Sequence, residues 1–67
     1  MSQFIKRPGR PHNGDWAHDN NTNADVCLEC EIKTVNGDDI YWIARQKDNS
    51  FTIVNESYLS NIGYYGE

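Results

Sequence analysis

The sequence predicts a mainly β fold of the small β+α kind: a three-stranded antiparallel meander, one short C-terminal helix and a loose N-terminal arm. Three observations predict it. From Val26 onward, apolar and polar residues alternate with period two and are rich in β-branched and aromatic types. Clusters of turn-forming residues, Val35-Asn36-Gly37-Asp38 and Lys47-Asp48-Asn49-Ser50, break that alternation twice. Residues 6–25 hold almost no apolar side chain besides Trp16 and Ala17 and are crowded with Asn, Asp, Gly and Pro. The chain therefore divides into a flexible, basic-then-polar arm, 1–25, and a β-meander domain, 26–67.

The meander has strands at about Val26–Thr34, Asp39–Gln46 and Phe51–Asn55. Register decides which side chains meet, because a slip of one residue moves the whole apolar set to the other face. A two-residue Asn36-Gly37 loop pairs Val35 with Asp38 and puts Leu28, Cys30 and Ile32 on the face of Tyr41 and Ile43. A three-residue loop pairs Ile32 with Trp42 and Cys30 with Ala44. The second register is preferred because it collects Val26, Leu28, Cys30, Ile32, Ile40, Trp42, Ala44, Phe51 and Ile53 on one side. It also sets Glu29 across from Arg45 on the other side, beside Tyr41 and Ile43. After the third strand, Asn55 is placed to cap a helix running to Ile62, with Tyr58, Leu59 and Ile62 at helical spacing and Gly63 as its stop. That helix covers one sheet face and leaves the other to a partner.

A chain of 67 residues forms one domain that buries only about 60% of the surface its unfolded form exposes, too little for a large enclosed active site. No apolar run approaches the roughly 20 residues that span a bilayer, and the first residues lack the apolar core of a secretory signal. The expected location is cytoplasmic, the host cytoplasm if the chain is viral, with no membrane partner. Two cysteines in such a compartment read as free thiols.

Charge is distributed unevenly. Lys6, Arg7 and Arg10 place +3 before residue 13, which leaves −7 for the rest of a chain whose net charge is −4. A basic arm on an acidic body suggests a molecule that touches macromolecules rather than one that transforms a small substrate. The arm Lys6-Arg7-Pro8-Gly9-Arg10-Pro11 resembles the AT-hook, the minor-groove peptide of chromatin architectural proteins, whose centre reads Arg-Gly-Arg-Pro. Gly9-Arg10-Pro11 matches and Pro8 stands in place of the first arginine. The resemblance implies nucleic-acid binding by the arm, although a body carrying −7 repels a duplex from everything else.

His12, His18, Cys27 and Cys30 are all the histidines and cysteines of the chain and make up a tetrahedral zinc set by stoichiometry, with Cys27-Leu28-Glu29-Cys30 at knuckle spacing. An i, i+3 pair in a strand points to opposite faces, however, so the expectation is no metal and no cofactor. Catalysis has less behind it: nothing local activates Cys27 or Cys30, and Glu29 with Glu31 reads as a solvated strand face. The expectation is therefore no enzyme.

Trp16 is an isolated large apolar residue in a polar stretch, either an anchor that folds back on the sheet or an interface hot spot. The expected partner-binding residues are Lys6, Arg7, Arg10, Trp16, Tyr41, Ile43 and Arg45. The expected function is a small non-enzymatic regulatory protein, a monomer that binds a larger protein and inhibits or modulates it. Short, acidic, cofactor-free chains of this kind are similar in size and style to virus-encoded proteins that block host enzymes such as RNA polymerase or a defence nuclease. The alternatives are a DNA-binding protein using the AT-hook-like arm and a zinc-stabilised mini-domain.

Overall fold

Among the described residues the chain forms six antiparallel strands in one sheet, not three. The computed structural model describes residues 3–66. In chain order the strands are β1 (Gln3–Lys6), β2 (Trp16–Asp19), β3 (Ala24–Lys33), β4 (Ile40–Arg45), β5 (Phe51–Asn55) and β6 (Leu59–Gly66). Their order across the sheet is β1-β6-β2-β3-β4-β5, with every neighbouring pair antiparallel. The three strands expected from the sequence are β3, β4 and β5. The sheet also runs across the expected boundary between residues 25 and 26, because β2 pairs with β3 and β1 pairs with β6.

The loose arm is a correction: its residues form β1, a crossing segment and β2. The C-terminal helix is a second correction. Asn55 does cap a turn, accepting the Ser57 amide at 2.9 Å, but the turn is one cycle of 3-10 helix over Glu56–Tyr58, after which the chain extends as β6. Helical spacing misled here for a physical reason. Between β2 and β6 the register shifts so that Ala17 faces the two residues Asn61 and Ile62, with Asn61 in the left-handed region at φ 51°. Such a bulge adds one residue to the strand, so Leu59 and Ile62 reach the same face three positions apart, as they would on a helix.

The preferred β3–β4 register is the third correction. The turn is a four-residue loop, Val35–Asp38, closed by the Thr34 amide donating to the Asp39 carbonyl at 3.2 Å. Ile32 therefore pairs with Tyr41, and Cys30 with Ile43, the alignment of the two-residue loop. A bulge at Glu29 then shifts the ladder, so that Leu28 pairs with Ala44 and Cys27 with Arg45. As a result Val26 and Leu28 face the same way as Trp42, while Cys30 and Ile32 face away from it. Cys30 is exposed rather than buried. On β5, Trp42 pairs with Val54 and Ile43 with Ile53, which turns Val54 inward and leaves Phe51 and Ile53 outside.

The core is thus Ala17, Val26, Leu28, Trp42, Ala44, Val54 and Leu59, with Ile40 and Ile62 packed against it. No helix covers this face among the described residues; residues 7–15 do. The Arg7 amide donates to the Ile62 carbonyl at 2.9 Å, Pro11 and Asp15 are buried, and the Gly14 amide donates to the Leu28 carbonyl at 2.7 Å. The basic arm is a strap over the core.

Candidate functional site

Two faces of one sheet carry different chemistry, and the strap sorts the arm's charges between them. Arg7 forks onto Asp15, its Nε reaching Oδ2 and its Nη2 lying 3.1 Å from Oδ1, while its guanidinium stacks 4.6 Å from the centre of the Tyr64 ring. Burial pushes the Asp15 carboxyl up, but the Arg7 hydrogen bond, the His12 amide at 2.9 Å and the Arg7 charge outweigh it and leave that carboxyl below its ordinary value. Arg10 bridges Glu31 on β3 and Glu56 after β5, with its Nη2 at 3.0 Å from Glu56 Oε1. The same Glu56 oxygen accepts the Trp42 indole N–H at 2.9 Å. The Arg10 bond holds the Glu56 carboxyl low against its partial desolvation, and the indole bond adds to this. Of the seven residues expected to contact a partner, Arg7 and Arg10 are therefore engaged inside the chain.

The other five share the opposite face. Pairing runs without a break from Lys6 to Gly63, Trp16, Cys27, Arg45 and Phe51, one residue from each strand. Two positions along the strand on the same side lie Phe4 and Tyr65 at one end and Ile43 and Ile53 at the other, joined by Cys30, three positions from Cys27 across the Glu29 bulge, with Tyr41 and Ile32 beyond. Phe51, Ile53 and Tyr65 are 64%, 65% and 57% exposed. Charges on this face are matched locally: Arg45 Nε lies 3.3 Å from Glu29, and His18 Nδ1 lies 3.0 Å from Asp25. Hydrogen bonds to Asp25 and then to Asn23 raise the His18 pKa above 6.5. Gly63 is required in this row, because a Cβ there would collide with the Ile5 carbonyl and approach the Phe4 ring to 2.7 Å.

The sequence did not single out Phe4, Tyr65, Phe51 or Ile53 for this face. The paired apolar residues of Gln3-Phe4-Ile5-Lys6 carry no period-two signal, so β1 was not marked by alternation. The left-handed Asn49, at φ 70°, set the turn that fixes the facing of β5. The zinc set does not assemble: among the described residues no three His, Cys, Asp or Glu side chains are grouped to hold a metal ion. Cys27 is a buried free thiol whose pKa burial raises, whereas His18 is occupied with Asp25 and Asn23. Among the described residues no helix is long and apolar enough to cross a membrane. No family model, curated protein or solved structure matches the chain.

Proposed function

We propose that this chain is a small, non-enzymatic regulatory protein that binds a larger protein through the open face of its sheet and thereby inhibits or modulates it. The reading includes a viral origin and a host enzyme, such as RNA polymerase or a defence nuclease, as the target. One observation carries it: a sheet face with apolar and aromatic side chains towards both of its lateral edges, Phe4, Trp16 and Tyr65 on one side and Ile43, Phe51 and Ile53 on the other, of which Phe51, Ile53 and Tyr65 are more than half exposed. Exposed apolar surface of this kind costs solubility and marks interaction sites. Trp16 on a central strand and Tyr41 towards the β5 edge, with Ile43 beside it, include the aromatic types that dominate interface energetics.

The strap bears on the charge of the partner. With Arg7 and Arg10 paired internally, the formal charge left over on the chain is negative, and Asp25 on the open face and Asp38, Asp39 and Asp48 at the loops stand exposed. The preferred partner is accordingly basic. The minor-groove reading requires Arg10 to leave its exposed pairs with Glu31 and Glu56.

The test is affinity capture from a nuclease-treated lysate with the parent chain, followed by kinetics on the captured protein with Ile53→Lys and Tyr41→Ala variants. Both should stay folded, and both should act mainly on the dissociation rate. Capture unchanged by Ile53→Lys, or binding to A·T-rich duplex that Arg10→Ala abolishes, would exclude the proposed face.

A further inference from the structure

A recess opens on this face. Where the Asn61 bulge spreads β2 from β6, Phe4, Trp16, Ala17, Asp25, Asn61 and Tyr65 line a cleft of about 70 Å³. Three of these side chains are aromatic and meet edge to face. Phe4 and Tyr65 have ring centres 5.2 Å apart and planes at 66°, and Trp16 and Tyr65 have centres 6.1 Å apart and planes at 79°. The face of an aromatic ring carries negative potential, and rings set nearly at right angles make a corner that attracts positive charge. The remaining wall is polar: the Asp25 carboxylate, exposed and with one oxygen towards His18, and the Asn61 amide. A carboxylate and an amide oxygen beside aromatic walls suit a cation with a flat or apolar body.

We propose that this cleft receives an arginine side chain of the protein partner. The inference rests on the docking reading of the open face and names the contact chemistry within it. A guanidinium is planar, is weakly hydrated, stacks on aromatic rings and presents several donors to a carboxylate, which an ammonium does not combine. The negative net charge of the chain favours the same guest. Lys6, paired with Gly63 on the neighbouring strand, is a cation on the same face and opposes it, so Lys6→Gln should tighten binding modestly.

The experiment titrates N-acetyl-arginine amide into the full chain and follows the Trp16 indole and Tyr65 ring signals by NMR, with the neutral citrulline analogue as control. The expected result is a saturable shift at Trp16 and Tyr65, none at the Trp42 indole on the covered face, and no response to citrulline. Tyr65→Ala and Asp25→Asn, both at exposed positions, should each weaken the arginine probe about tenfold. No shift, an equal response to citrulline, or a stronger one to inorganic phosphate would overturn the proposal. Partner capture that needs Ile53 but survives Tyr65→Ala and Asp25→Asn would overturn the arginine pocket and leave the docking face standing. Capture indifferent to all three variants would remove the docking face itself.

Discussion

The two faces of this sheet are built from similar residues and treated oppositely. On one, Trp42, Leu28, Val26 and Val54 lie under residues 7–15, and the two arginines of that strap tie together acidic groups on three separate segments: Asp15, Glu31 and Glu56. On the other, Tyr41, Ile43, Phe51 and Ile53 have nothing over them among the described residues. The difference teaches that burial here is not set by hydrophobicity alone, since Ile53 is as apolar as Val54 beside it. One face has a covering segment whose charges match the acids it crosses, and the other does not. A chain this short orders one strap, and the face it leaves is the face available for function.

The largest test of that contrast is Trp42→Ala against Ile53→Ala. Removing the indole from the core, with its bond to Glu56, should cost about 3–5 kcal/mol, whereas truncating the exposed isoleucine should cost less than about 1 kcal/mol. Urea unfolding followed by circular dichroism measures both; equal costs would mean that the two faces are not distinct. Next comes the strap. Asp15→Ala removes the acceptor of the Arg7 fork and of the His12 amide at a position 2% exposed, and should cost roughly 1–3 kcal/mol.

Acid should loosen the covered face selectively. Asp15 and Glu56 both titrate below their ordinary values in the folded chain, so the stability they contribute is present above the unfolded carboxylate pKa of about 4 and is lost as pH falls through the lower folded values. Urea midpoints should decline below about pH 4, and Arg10→Met should flatten that decline by removing the group that holds Glu56 low. The smallest effect belongs to the open face. His18 has a raised pKa, so its contribution is complete below 6.5 and disappears as pH rises through the folded value; a His18→Asn chain should lack that slope.

The sequence alone determined that the chain is a mainly β, antiparallel protein and where β3, β4 and β5 run. These are local properties: alternation, turn chemistry and residue type can be read within a window of a few residues. Which face each side chain occupies was decided by the bulges at Glu29 and Asn61, because one extra residue inverts the parity of everything beyond it, and composition does not announce where a ladder will slip. That inversion buried Leu28 and exposed Cys30, and it made Leu59 and Ile62 of β6 look like a helix. The fate of the arm was likewise tertiary. Arg10 lies 21 residues from Glu31 and 46 from Glu56, and only the folded sheet brings those two carboxylates close enough to turn a basic tail into the cover of the core.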